Sequence, residues 1–213
     1  MDNMSQYYKH KRPELHKHIQ PGRNRILDVG CAEGLLGESL KQQGLAIEVV
    51  GIEFFSDAAR VAESRLDRVF CGDIEAMIHN KIEIKQESFD YIICGDVLEH
   101  LRDPWAVMSW LTTRLKPGGL LIASLPNVRH WSVLLPLLFC GEWRYQPQGI
   151  MDRSHLRFFT KKSAVRMLIE SGLSLVSCEG SLLRRKKDKL INLLLLGMGR
   201  KFVSMQWILV GKR

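Results

Sequence analysis

Arg25-Ile26-Leu27-Asp28-Val29-Gly30-Cys31-Ala32-Glu33-Gly34 is an apolar run that ends in an acid and two glycines, and Leu35-Leu36-Gly37-Glu38-Ser39-Leu40 continues it with helical character. The order is strand, turn and helix start. Glycine lacks the Cβ that blocks close approach, and the first N–H groups of the helix point at whatever sits on the turn, so the stretch implies a nucleotide-like cofactor. Spacing discriminates among cofactors. The dinucleotide fingerprint G-x-G-x-x-G laid on Gly30 requires glycine at Ala32 and Leu35, and both are absent. What remains is Asp28-x-Gly30-x-x-x-Gly34.

Further apolar runs follow in a regular order. Ile47-Glu48-Val49-Val50-Gly51-Ile52-Glu53 ends in an acid about 20 residues past the turn, where a carboxylate can accept hydrogen bonds from ribose hydroxyls. Arg68-Val69-Phe70-Cys71 precedes Gly72-Asp73-Ile74-Glu75. Ser88 to Cys94 leads into Gly95-Asp96-Val97-Leu98-Glu99-His100-Leu101, and Leu115-Lys116-Pro117-Gly118-Gly119 reads as a turn before a fifth strand. Strands alternating with helical segments predict a parallel sheet covered on both faces, with ligands beyond the carboxyl ends of the strands. Ser56-Asp57 is expected to cap a helix running to Arg65, and Asp103-Pro104 to start one running to Leu115.

Taken in order, these segments resemble the class I S-adenosylmethionine (SAM) methyltransferases, closest to bacterial proteins that include ubiquinone-biosynthesis O-methyltransferases and MetW-like proteins. Asp28-x-Gly30-x-x-x-Gly34 resembles their first motif, with Ala32 where the family usually has glycine. The resemblance runs from about Tyr7 to the end. It implies a Rossmann-like, doubly wound α/β fold with a seven-stranded sheet, mostly parallel. The last strand, around Met205 to Val210, runs antiparallel beside strand six, Leu173 to Cys178. It implies SAM as cofactor and S-adenosylhomocysteine as product. It places Asp28, Gly30, Cys31, Ala32, Gly34, Glu53, Phe54, Asp73, Ile74, Gly95 and Asp96 at the cofactor, with Asp73 on the adenine amino group and Ile74 against the ring.

A chain of 213 residues, 46% of them hydrophobic, suits one domain over 1–213. The five cysteines are scattered, with no C-x-x-C pair, so neither a disulfide framework nor a metal site is expected. Cys31, Cys71 and Cys94 are expected as small buried groups at strand ends. The N-terminus lacks the apolar core of a signal peptide, and Leu190 to Met198 falls far short of the roughly 20 residues that span a bilayer. The expected location is cytoplasmic. From Ser181 to Arg213 nine basic residues face one acid, a net +8 equal to that of the whole chain. The basic segment 184–201 is therefore either a solvated connection or a peripheral contact with the inner face of a membrane.

The segment 126–160 is extra to a minimal methyltransferase core. Its aromatics and arginines lie after strand five, which suggests a lid that orients an acceptor and excludes water. The alternative is that Leu134, Leu135, Leu137 and Leu138 merely cap the core. Trp131 and Asp152 are candidate substrate contacts, as are Tyr7 and Arg12 in an N-terminal flap, 1–22, whose alternative is a loosely packed helix. A hydroxyl nucleophile benefits from a general base, and His100 is the first candidate, with a helix-start histidine bonded to backbone as its alternative. His155 is the second, with a bracing hydrogen bond to Asp152 as its alternative. Three functions remain open. They are methyl transfer, at oxygen, to a small-molecule or saccharide-type acceptor; an accessory SAM-binding role without turnover, as in the MetW-like group; and nucleic-acid methylation. The last is disfavoured because Cys94-Gly95-Asp96-Val97 lacks the Asn/Asp-Pro-Pro-Tyr/Phe motif.

Overall fold

The structure is a computed structural model that describes residues 12–181, 192–193 and 199–213. Tyr7 and most of the basic segment, including 184–191, lie outside the described residues. Seven strands form one sheet: β1 (Arg25–Val29), β2 (Glu48–Glu53), β3 (Arg68–Cys71), β4 (Phe89–Gly95), β5 (Leu115–Pro126), β6 (Ser174–Gly180) and β7 (Gln206–Lys212). Their order is β3-β2-β1-β4-β5-β7-β6. The first five strands pair in parallel, while β7 is antiparallel to both β5 and β6. The expected doubly wound sheet is present.

Alternation along the central strands divides the core. Leu27, Val29, Val50, Ile52, Ile92 and Leu121 pack on one face, whereas Ile26, Val49, Ile93 and Ile122 pack on the other. Helices cover both faces, so the central strands read as continuous apolar runs. The helices are α1 (Pro13–His16), α2 (Leu35–Gln42), α3 (Ser56–Ala62), α4 (Ile74–His79), α5 (Pro104–Arg114), α6 (Trp131–Cys140), α7 (Lys161–Glu170) and α8 (Arg200–Val203). The strand order reverses between β1 and β4, which opens a crevice at their carboxyl ends.

Local signals differ in how well they specify helix starts. Asp103 caps α5 by accepting a hydrogen bond from the Ala106 N–H at 3.0 Å, with Pro104 at the first helical position. Asp103→Ala is expected to cost about 1 kcal/mol in chemical denaturation. Ser56 and Asp57 do not cap α3; they lie inside its first turn after Phe55, and the helix stops at Ala62 rather than Arg65. The turn expected at Leu115–Gly119 is the beginning of β5, paired to β4 across a register shift between Phe89 and Tyr91. Cys71 is exposed, because β3 is an edge strand and ends there; Cys31 and Cys94 are buried as expected.

Candidate functional site

The turn after β1 is held in a conformation that suits glycine. Gly30 has φ +71°, and a Cβ there would lie 2.3 Å from Cγ2 of Val97. The N–H groups of Gly30 and Cys31 both donate to the Ile52 carbonyl of β2, at 2.8 and 3.1 Å. Ala32 keeps a left-handed φ of 50°, a glycine-like backbone carried by alanine at a cost of about 1 kcal/mol. Gly34, φ +78°, then opens α2.

Glu53 ties this turn to the end of β2. Its Oε2 accepts from the Ala32 N–H at 2.8 Å and its Oε1 from the Phe55 N–H at 2.9 Å. The carboxylate therefore shapes the turn itself, and each oxygen keeps a second lone pair for a ligand. Phe54 and Phe55 stand largely exposed beside it, edge to face at 5.1 Å.

Asp28 is buried at 3% exposure, and its Oδ2 has no hydrogen-bond partner. Burial pushes its carboxyl up to about 7, opposed by Arg12 and reinforced by Glu53. A buried, unpartnered carboxylate oxygen is costly. It suits a cationic group delivered by a ligand.

Beyond β3, Phe70, Gly72, Asp73 and Met77 line a hollow of about 430 Å³. Asp73 caps α4, accepting from the Glu75 N–H at 2.9 Å through Oδ1. Ile74 is buried in the core and does not line the hollow, because the first turn of α4 faces it inward.

At the end of β4, Gly95 admits the Arg12 guanidinium, whose Nη1 lies 3.3 Å from where a Cβ would be. Arg12 pairs with Asp96 Oδ2 at 2.9 Å and donates to Ser124 Oγ at 2.8 Å. Asp96 Oδ1 in turn accepts from Ser124 Oγ and from Gln206 Nε2, at 2.7 and 2.8 Å. The segment before β1 thus reaches over the carboxyl ends of β4 and β5.

Next to Asp96 lies a 3₁₀ turn, Leu98–His100. His100 Nδ1 meets the Ser154 carbonyl at 3.3 Å, and His155 Nδ1 meets the Ile150 carbonyl at 3.0 Å. A carbonyl only accepts, so both Nδ1 atoms carry the hydrogen and both Nε2 atoms hold a lone pair when neutral. His155 is braced by Ile150 and not by the Asp152 carboxylate, which accepts from Ser154 N and Oγ instead. Burial lowers the His155 pKa. The rings of His100 and His155 lie 4.7 Å apart. Glu99 completes the cluster: both its oxygens lack hydrogen-bond partners, burial raises its pKa well above the usual carboxylate range, and His155 Nε2 is 4.0 Å from Oε1. Among the described residues these three bring ligand atoms within 4.8 Å of one another, a spacing that could hold a metal ion.

The segment after β5 leaves and returns at one place, through a bridge between Asn127 and Phe159. It docks on the 3₁₀ turn, with the Leu156 and Arg157 N–H groups donating to the Glu99 carbonyl at 2.8 and 3.0 Å. Val133, Pro136, Arg144, Gln146, Met151 and Met205 help line a cavity of about 550 Å³ within it. Trp131 and Asp152 do not line that cavity; Trp131 stacks near His130 at 5.5 Å. Leu135, Leu137 and Leu138 are exposed and do not cap the core.

Glu99, Ser124 and Gln206 were not legible as site residues. An acid beside His100 was the one local hint; Ser124 and Gln206 reach Asp96 only through sheet pairing.

A family model described as a methyltransferase domain matches residues 2–178. A ubiquinone biosynthesis O-methyltransferase of Burkholderia pseudomallei is 30% identical over 171 residues, 78% of this chain and 71% of its own. One from Neisseria meningitidis is 29% identical over 161 residues, covering 73% and 66%. A SAM-dependent methyltransferase structure from Archaeoglobus fulgidus superposes with a TM-score of 0.69 at 18% identity, covering 95% of this chain and 91% of that one. The [4+2]-cyclase SpnF shares the fold at a TM-score of 0.63 and 18% identity, covering 92% and 76%.

Proposed function

The chain belongs to the methyltransferase-domain family and is a SAM-dependent methyltransferase, and on that premise we propose that it methylates an oxygen of a small-molecule or saccharide-type acceptor. SAM, when bound, supplies an electrophilic methyl on a cationic sulfur. The chain fits it. The observation that carries the reading is the orphaned, buried Oδ2 of Asp28 beside the Gly30 turn, a carboxyl that a cationic group would hold ionised. Glu53 beside Phe54 is assigned to the ribose hydroxyls and Asp73 to the adenine amino group. Gly30, Cys31, Ala32 and Gly34 form the floor, with Gly95 and Asp96 at the reacting end. Ile74 supports the adenine side from within the core.

The acceptor is assigned to the cavity under the lid, 126–160, whose wall joins apolar Val133, Pro136, Ile150 and Met151 to Arg144 and Gln146. Arg12, held by Asp96 and Ser124, serves the acceptor from the flap side, and Trp131 and Asp152 shape the lid that carries the cavity. His100 is the base. It is half-buried, and its Nδ1–H is held by the Ser154 carbonyl, leaving Nε2 to accept the proton of an acceptor hydroxyl. His155 packs against it, ring to ring at 4.7 Å.

O-methylation is supported by the names of relatives at about 30% identity. The test is acceptor-dependent formation of S-adenosylhomocysteine with quinol-like phenols and phosphorylated sugars. His100→Ala is expected to lower kcat by about 100-fold with SAM affinity unchanged, the loss typical of a general base. Full turnover in that variant, or methyl found on nitrogen, contradicts the reading.

A further inference from the structure

Helix α6, Trp131–Cys140, contains no charged residue and buries only Val133 among its ten. Leu138 and Phe139 are 73% and 76% exposed, Leu135 is 46% exposed, and Trp143 and Tyr145 extend the apolar surface past the Gly141 cap. Single exposed apolar side chains are ordinary, whereas a contiguous patch of this kind marks an interaction surface.

Among the described residues, unpaired positive charge stands at one end of it. Arg129, two residues before α6, lies over the Phe202 ring at 4.8 Å. Exposed Arg200 and Lys201 are joined to the same end, because Asn127 Nδ2 donates to the Lys201 carbonyl at 3.0 Å. Arg144 and Arg153 lie beyond the other end, both exposed. There Glu142 pairs with Arg144 at 2.7 Å and Asp152 supplies a second acid, so that end is balanced in charge and the net positive charge lies at the Arg129 end. A patch that is apolar at its centre and cationic at one end matches one partner better than another. An anionic bilayer offers acyl chains to the centre and phosphates to the cationic end.

We propose that α6 is a membrane-docking helix, which lays Leu135, Leu138 and Phe139 into the interface of an anionic bilayer while Arg129, Arg200 and Lys201 meet its headgroups. The helix lies in the interface and does not span it; among the described residues no helix is long and apolar enough to cross a membrane. Docking needs neither SAM nor turnover, so it is read separately from methyl transfer.

The experiment is flotation of the full chain with vesicles of phosphatidylcholine alone and of phosphatidylcholine mixed with phosphatidylglycerol. A polarity-sensitive fluorophore is placed on exposed Cys140 at the end of α6, with Cys71→Ser and Cys178→Ser removing the other accessible thiols. The protein is expected to float with the mixed vesicles and not with the neutral ones, and the Cys140 emission to move to the blue. Leu138→Glu with Phe139→Glu is expected to cut partitioning by about 10-fold or more while SAM affinity, which verifies folding, is unchanged. Arg200→Glu with Lys201→Glu is expected to lose the preference for the anionic lipid. The proposal is overturned by no flotation, by flotation with an unshifted fluorophore, or by undiminished flotation of the doubly acidic α6 variant. It is equally overturned by a wild-type dimer that this variant disperses, which would make the face a contact between copies.

Discussion

Replacing Asp28 by asparagine is expected to stabilise the protein without ligand and to weaken SAM binding at the same time. The unfolded carboxyl has its ordinary value of 3.8, and burial lifts it to about 7 in the folded protein. Between those values the folded state holds a proton that the unfolded chain has released, so stability falls as pH rises through this window. The loss reaches on the order of 4 kcal/mol once the pH passes about 7. Asparagine keeps the shape and removes that loss, so the Tm at pH 8 should rise relative to wild type. The same charge is what a cationic ligand uses. SAM affinity is therefore expected to fall about 10- to 100-fold in Asp28→Asn, matching the 1.5–3 kcal/mol of a hydrogen bond to a charged group. In wild type the affinity should climb with pH through about 7, and in the variant that dependence should flatten. Calorimetric titration across pH reads both, and unchanged affinity in Asp28→Asn would remove Asp28 from the site.

Glu53→Ala is expected to be more damaging, because Glu53 builds the turn as well as facing the ligand. Its loss removes the acceptor that ties the Ala32 and Phe55 N–H groups to one carboxylate, at a cost of about 1–3 kcal/mol for the part-buried Ala32 N–H. Ala32, already in a left-handed conformation, is then free to relax, and the floor under Gly30 relaxes with it. SAM affinity should drop more than about 100-fold, with unfolding shifted to lower denaturant. Glu53→Gln should not rescue it, since its amide turns a donor toward one of two backbone donors. Wild-type affinity in Glu53→Gln would show that the carboxylate charge and its double acceptance are dispensable.

The strands and the turn were legible because their signals are local: an apolar run, an acid and a glycine within ten residues. Asp103-Pro104 was legible for the same reason. Ser56-Asp57 misled because two good capping residues stand side by side while the chain enters α3 one residue earlier, at Phe55. Cys71 misled because the sequence does not reveal which strand is at the edge. The lid leucines had the composition of a core, and only tertiary structure shows that α6 points most of them outward. Glu99 was hidden by its neighbour: His100 attracted the functional reading, whereas the fully buried group with no hydrogen-bond partner is the adjacent acid. The hold on Asp96 by Ser124 and Gln206 depends on β7 lying next to β5, a pairing of strands far apart in sequence.

The central claim is that the crevice at the ends of β1, β2 and β4 binds SAM, and its most direct test is calorimetric titration of the purified protein with SAM, S-adenosylhomocysteine and NAD. Saturable binding of the two adenosyl compounds with no heat from NAD is the predicted result. A protein that is folded by circular dichroism and binds NAD, or binds neither adenosyl compound, would contradict it.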